Sequence, residues 1–364
     1  MRIPFLILVI VHGLIHLLGF AKAFGLSEVK QLTQPISKPF GMIWLLAFIL
    51  FVIAAILFAF KHNYWWLVGA MALVTSQILV IFFWQDAKFG TIANGIILLA
   101  TIIGYGTYSF HDKYQNEVNM GLQQLAYFQN SELTETDIQD LPEPVKKYIR
   151  YSGAIGKPKV NNFKIEFTGK IRKNEQSEWM SFSSEQYNFM ETPTRLFFMK
   201  AVMKGLPVAG YHCFKNGVAY MDIRLLSVFK VLYQDGMEMN LSETVTFFND
   251  MCCLAPPTLI DKRIKWLKVE GNKVKASFTN NNITIDAWLY FNDKGELVNF
   301  ISEDRYSADA RKQLPWSTPL KEYQEIKGYK LMKNAETIYS YTDKELCYGT
   351  FKLVSVEYNC KLID

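Results

Sequence analysis

Four apolar runs, each close to twenty residues long, fall within the first 110 positions of this chain. They limit what it can become. A helix needs roughly 20 apolar residues to cross the hydrocarbon of a bilayer. Only a helix or a closed barrel satisfies every backbone N–H and C=O there. The runs cover 3–24, 40–60, 64–84 and 91–108, and each is too long and too evenly apolar for a strand. The first has no small-residue cleavage site and three more follow it, so it is expected to remain as a span. Tyr64, Trp65, Trp66, Trp84, Tyr105 and Tyr108 fall at the ends of the runs, where interfacial aromatics belong.

Four spans return the chain to the side on which it began. Arg2, Lys61 and Lys113 mark one side, and Lys22, Lys30, Lys38 and Lys88 mark the other. The charge rule leans toward the second set as cytoplasmic, which puts the C-terminal part outside.

Few polar residues interrupt the spans. His12 and His16, four apart in "VHGLIHLLGF", share one helix face. His16, Asp86, Lys88 and Asn94 are expected to converge at one mouth of a four-helix bundle, with His12 a turn deeper. Three readings follow. The first is interhelical hydrogen bonding, with close helix approach at Gly13 and Gly19. The second is a proton or polar-ligand site. The third is a metal site, which lacks ligands, because only Asp86 can join the two histidines and a site wants three or four.

After residue 110 the character changes. Charged residues become common and the apolar period falls from helical to two. The expected division is 1–110 for the membrane bundle, 111–140 for a polar linker with a short helix, and 141–364 for a β domain. Stretches such as "FKIEFTGKIR" and "ITIDAWLYF" alternate as strands, and "KNG" (215–217), "EGN" (270–272) and "NDKG" (292–295) mark hairpin turns. About eight to eleven mostly antiparallel strands are expected. They are interrupted by one helix at 242–260, capped by Ser242 and stopped by Pro256–Pro257. The fold class is therefore a four-span helical bundle followed by a curved β half-barrel wrapped on one or two helices.

The chemistry of this second part is sparse. The net charge of +5 is spread out rather than gathered into a basic stripe, which gives no support to nucleic-acid binding. Five cysteines, two of them adjacent and none in CxxC, argue for free thiols and against structural zinc, with one disulfide left open. No GxSxG, HExxH, GxGxxG or P-loop pattern occurs, so no catalytic residue and no cofactor is expected. His212 and Cys213 are strand neighbours and point to opposite faces.

Some polar residues sit in apolar company. Asp222 and Arg224 share a strand face, Glu243 and Asp250 share a helix face, and Arg305 and Tyr306 follow a strand. Arg224 or Arg305 is expected to pair with Glu243 or Asp250. The pairing would either tie helix to sheet or form a polar rim for a ligand head group. Trp266 and Trp288 belong to a large aromatic load, read first as core and second as the wall of an apolar cavity.

The segments "LPEPVKKYIRYSGAIGKPKV", "PTRLFFMKAVMKGLPVAGYHCFKNG", "EMNLSETVTFFNDMCCLAPPTLID", "FNDKGELVNFISEDRY" and "PWSTPLKEYQEIKGYKL" resemble, in order and spacing, a bacterial family of uncharacterised proteins with a DUF6544/DUF6920-type domain. "HGLIHLLGFAKAFG" and "DAKFGTIAN" resemble the membrane half of its longer members. The resemblance implies a half-barrel similar to lipoprotein-carrier folds and no established activity.

The leading expectation is a multi-pass protein of the bacterial inner membrane whose β domain binds a lipid, lipoprotein or other hydrophobic ligand beside the bilayer. One alternative places a proton-coupled, metal or redox site in the bundle, with the β domain as sensor or partner module. The other is a structural envelope protein.

Overall fold

The structure is a computed structural model that describes residues 2–125 and 131–362. The chain divides into two compact units: Met1–Asp112 with Leu226–Val228, and Lys113–Leu225 with Phe229–Asp364.

The first unit carries α1 (Arg2–Ala23), α2 (Lys38–Ala59), α3 (Trp65–Phe82), the short α4 (Trp84–Ala87) and the start of α5 (Gly90–Gln124). All but α4 are long and apolar enough to cross a membrane. Their apolar side chains point outward in large number, from Ile3 and Ile7 on α1 to Leu99 on α5, as lipid-facing helices require. The buried positions are small or aromatic. A Cβ on Gly19 would lie 2.2 Å from Cδ2 of Trp44, and one on Gly41 would lie 2.4 Å from Cβ of Ala23. Glycine is what lets α1 and α2 approach so closely.

α5 corrects one expectation. Residues 111–124 are not a loose linker. The helix continues through them because Tyr114, Val118 and Leu122 recur every four residues and are all buried. The "LAYF" part of the expected short helix falls largely outside the described residues. Beyond it come a 3₁₀ turn at Thr136–Ile138 and α6 (Glu143–Tyr151), with Pro in its first turn and Gly153 at φ +71° just after it.

The second unit is built on one antiparallel sheet. Its strands are β1 (Asn162–Ile171), β2 (Met180–Phe189), β3 (Thr194–Met203), β4 (Leu206–Lys215), β5 (Val218–Leu225) and β6 (Phe229–Gln234). Then follow α7 (Met237–Leu254), a 3₁₀ helix at Pro256–Ile260, β7 (Ile264–Glu270), β8 (Lys273–Asn280), β9 (Ile283–Phe291) and β10 (Leu297–Ser302). Two short strands, β11 (Tyr306–Ser307) and β12 (Lys312–Gln313), pair with each other. β13 (Trp316–Ser317), β14 (Leu320–Ile326), β15 (Tyr329–Ser340) and β16 (Glu345–Tyr358) complete the sheet.

Among the described residues the main sheet has 14 strands, more than the eight to eleven expected, in the order β6-β5-β4-β3-β2-β1-β16-β15-β13-β10-β9-β8-β7, with β14 on β15. The last strand returns to pair with the first. The edges, β6 and β7, do not pair, so the sheet is open.

α7 joins those two edges and explains the curvature. It contacts β5 near one edge and β9 and β10 near the other. In a flat sheet β5 and β9 would stand roughly 40 Å apart at about 4.8 Å per strand, and a helix with side chains is only about 10 Å across. The sheet must therefore curl around α7. Residues Ser242 to Leu254 of the helix are all buried. Phe248 stacks on Phe278 with centroids 5.3 Å apart and meets Phe300 edge-on at 5.7 Å. Much of the concave face is thus filled by the chain's own helix. Ser242 is not the cap: α7 starts after Gly236, whose φ of +93° turns the chain out of β6, and the Ser242 hydroxyl instead accepts the Tyr306 N–H at 3.1 Å.

Candidate functional site

The spans contain a buried polar network. His12 and His16 are buried on α1, Ser76 on α3 and Asn94 on α5. His16 Nδ1 lies 2.8 Å from the His12 carbonyl. That oxygen only accepts, so Nδ1 carries the proton and Nε2 of neutral His16 is left to accept from the Ser76 hydroxyl at 3.0 Å. Asn94 donates its amide to Gln77 Oε1 at 3.0 Å, so its own oxygen faces His12 Nε2 and accepts from it at 2.9 Å. The Ser76 hydroxyl also lies 3.1 Å from that Asn94 oxygen. Each of the four side chains has a partner among the others.

Asp86 and Lys88 do not join this network. Asp86 accepts hydrogen bonds from Thr33 N (2.7 Å), Thr33 Oγ1 (2.6 Å) and Gln34 N (2.9 Å), and so ties the α1–α2 connection to α4. The Thr33 hydroxyl and the two backbone donors hold its carboxyl below the usual range. The backbone of that connection needs acceptors, and a carboxylate in the adjoining turn supplies them. Lys88 ends α4 with its ammonium over the Phe89 ring at 5.4 Å. Among the described residues no three His, Cys, Asp or Glu side chains come together as a metal would need.

The second unit holds a buried charge cluster. Opposed residues in an antiparallel ladder share a face, and the register traces that face across β2 to β5. Asn188 opposes Arg195, which opposes Phe214 and then Ala219. Gln186, Phe197, His212 and Met221 form the next row. This is the face α7 covers, since the side chains of Gln186, Asn188 and Arg195 all reach Asp250 of α7.

Arg195 reaches both acids of the helix. Its Nε donates to Asp250 at 2.8 Å, its Nη1 to Glu243 at 3.1 Å and its Nη2 to Gln186 Oε1 at 3.0 Å. Gln186 and Asn188 also donate to Asp250, at 2.8 and 3.2 Å. Burial disfavours the charged form of Glu243, but Arg195, His212 and Arg305 reverse this and hold it down to about 2. Burial dominates at Asp250 and raises it. His212, 3.7 Å from Glu243, is the partly exposed member.

The residues expected here separate into groups. Glu243 and Asp250 do meet an arginine, but it is Arg195. Arg224 points to the opposite face and pairs side-on with Asp222, Nη2 to Oδ2 2.7 Å. Arg305 touches α7 without reaching either acid through a hydrogen bond. It donates to the Ser242 carbonyl (2.9 Å), to Thr246 Oγ1 and to the Tyr339 hydroxyl (3.1 Å), and lies over Trp316 at 4.6 Å. Tyr306 contributes its backbone, its carbonyl accepting from Tyr339 at 2.9 Å. Trp266 packs against the core, whereas Trp288 lies on the outer face under Lys273, 4.8 Å from its ring. All five cysteines are free thiols.

Sequence reasoning missed Arg195, Gln186 and Asn188. A signal was present: Gln186 and Asn188 fall on the same face as Phe182, and a polar pair on a core face needs a partner.

Further along the same face the rows turn apolar. Ser184, Met199, Gly210, Ile223 and Leu232 form one row, and Phe182, Ala201, Val208, Leu225 and Phe229 form the next. Phe182 also opposes Gly169 on β1. On the opposite, outer side of the sheet at this point a shallow depression of about 780 Å³ opens, lined by Thr168, Lys170, Trp179, Ser181 and Lys352, which alternate with the inward-facing Gly169 and Phe182. Gly169 has no room for a side chain, because a Cβ would lie 2.0 Å from the Thr350 carbonyl and 2.9 Å from the Phe182 ring.

Comparison with curated proteins gives no match. Among solved structures, a DUF1329 family protein from Desulfovibrio piger aligns at 12% identity and a TM-score of 0.33, covering 61% of this chain and 94% of the other. A LolA superfamily protein from Nitrosomonas europaea aligns at 7% identity and a TM-score of 0.30, covering 60% and 93%. A family model, described as a family of unknown function (DUF6544), matches residues 131–351, which is most of the β unit and more than half of the chain. The chain belongs to the DUF6544 family.

Proposed function

We propose that the β unit binds an amphiphile, an apolar chain with an anionic head group, at the outer depression beside Trp179, Lys170 and Lys352. One observation carries the reading: this depression, of about 780 Å³, has an aromatic wall and two lysines, Lys170 and Lys352, on its lining. Trp179 offers an exposed aromatic surface there, and Lys170 and Lys352 stand on the same outer face of the sheet. The charge cluster of Arg195, Glu243 and Asp250 is satisfied internally and serves to lock α7 to the sheet. Arg305 and Tyr306 do the same from the other side, so they are positioning residues rather than ligand contacts.

Membrane attachment suits such a ligand. Each exposed CH₂ costs about 0.8 kcal/mol in water, so a bilayer lipid transfers to an adjacent apolar surface more cheaply than through solution. The setting proposed is the bacterial inner membrane with the β unit on its outer side, following the lysines at 22, 30, 38 and 88.

The test is extraction of the intact protein from membranes in mild detergent, followed by lipid analysis and titration with a fluorescent fatty acid. Trp179 emission should respond, and a Lys170→Glu/Lys352→Glu pair should weaken binding about tenfold or more. Unaltered binding in that pair, or no uptake by the wild type, overturns the reading.

A second reading rests on the membrane network. Protonating His16 turns Nε2 into a donor, and rotation of the Ser76 hydroxyl toward Asn94 accommodates it without other movement. The network can therefore hold or pass a proton. Proton leak through reconstituted vesicles should fall on Ser76→Ala; equal leak in both proteins overturns it.

A further inference from the structure

The exposed apolar side chains of the second unit are unevenly placed. Most of the large ones lie between residues 202 and 237: Val202, Met203 and Leu206 at the β3–β4 turn, and Phe229, Val231 and Leu232 on β6. These two regions lie at one end of the strands, since Met203 pairs with Leu206 and Val208 with Leu225, which pairs with Phe229.

Their charge is as uneven as their polarity. From Thr192 to Gln234 the only acidic residue is Asp222. It is 2% exposed and held by Arg224. Lys200, Lys204 and Lys230 are exposed beside the apolar residues, with no exposed carboxylate in that stretch to balance them. An apolar surface studded with uncompensated lysines matches an interface of acyl chains below anionic head groups.

The part of α5 that belongs to this unit, from Lys113 on, packs along the same strands. Gly121 of α5 meets Phe189, Glu117 pairs with Lys215, Tyr114 meets Phe198 and Tyr211, and Lys113 lies over Tyr211 and Tyr220. Going back along the helix from residue 121 to 113 therefore moves along β3 from Thr194 toward Met203.

We infer that the β3–β4 turn and strand β6 dip into the interface of an anionic bilayer, forming a second membrane contact of the β unit besides its helical attachment. Among the described residues β6 is also an unpaired edge, the kind of surface that a strand of another chain can cover. The lysine excess favours lipid over another protein chain, because each basic residue near an anionic surface adds about 1 kcal/mol.

The experiment uses the full chain, with Cys347 and Cys360 changed to serine and the three buried cysteines left in place. A single environment-sensitive fluorophore is attached through Met203→Cys, Phe229→Cys or Val218→Cys. Val218 is 62% exposed and stands at the opposite end of the same strands. In vesicles containing phosphatidylglycerol, labels at 203 and 229 should emit to the blue and be quenched several-fold more than the label at 218 by lipids carrying a shallow doxyl group. Lys204→Glu with Lys230→Glu should reduce that quenching at least twofold, as should pure phosphatidylcholine.

Quenching at 203 and 229 no greater than at 218 overturns the inference. A blue shift without doxyl quenching identifies a protein partner on β6 and overturns it equally. Quenching that ignores both lysine reversal and lipid charge overturns the anionic specificity. Ligand uptake at the Trp179 depression is measured separately and does not decide any of these outcomes.

Discussion

A single arginine holds the centre of the β unit. Arg195 is 7% exposed and faces two carboxylates on α7. Removing one partner of a buried ion pair leaves a charge that water cannot reach, which costs about 3–5 kcal/mol. Arg195→Met should lower unfolding stability by that amount, read from loss of near-ultraviolet dichroism on heating. Arg224→Met takes the guanidinium from Asp222, itself 2% exposed, and should also cost several kcal/mol, about 3–5 by the same argument.

Glu243 adds a pH dependence. Its folded-state value, about 2, lies below the ordinary carboxyl value of 4.5, so its stabilising contribution is complete above pH 4.5 and is lost as pH falls toward 2. Denaturant titrations of the wild type between pH 5 and 2.5 should show falling stability, and Glu243→Gln should flatten that slope while lowering stability at pH 7. A slope unchanged by the substitution would show that other carboxyls carry the acid response.

At the scale of elements, small residues decide the helix contacts. Gly19→Leu drives a side chain into the Trp44 ring, whereas a Cβ at Gly95 on α5 meets nothing within 4 Å. Gly19→Leu should cost about 2 kcal/mol or more through overpacking and lower the melting temperature in detergent. Gly95→Ala should be neutral within about 0.5 kcal/mol. α5 illustrates how an element can be half legible. Its apolar run announces a span, but its continuation from 111 to 124 reads as polar linker until Tyr114, Val118 and Leu122 are counted as one face. α7 shows the reverse: its existence was evident from sequence, but its start was misplaced by five residues. Ser242 looks like a cap, and the true entry is the Gly236 turn.

At the scale of the molecule, the link between β6 and β7 organises the β unit. One helix connects the two edges of an open sheet, so the sheet wraps it and the concave face is largely consumed. The depression proposed for a ligand lies instead on the outer face, beside Trp179, Lys170 and Lys352. A Trp179→Lys substitution replaces its exposed aromatic wall with a charge and should abolish fatty-acid uptake, with folding checked by unchanged far-ultraviolet dichroism. Retained uptake would exclude this depression.

Local composition determined the classes of element. Twenty-residue apolar runs can only be helices in lipid, and two-residue alternation with glycine-marked turns can only be hairpins. The hairpin turns at 215–217, 270–272 and 292–295 stand where their residues indicated. Long-range pairing was a different matter. Which arginine meets Glu243 depends on the registers of β2, β3 and β4 and on the rotation of a helix about fifty residues away. Asp86 is expected beside the histidines because both fall toward the same mouth of the bundle, but the N–H groups of Thr33 and Gln34 claim it. Sequence fixes which side chains need partners, because burial and charge are written in residue type. Only the tertiary structure chooses the partner, because that choice is made by distances between segments that the chain itself keeps far apart.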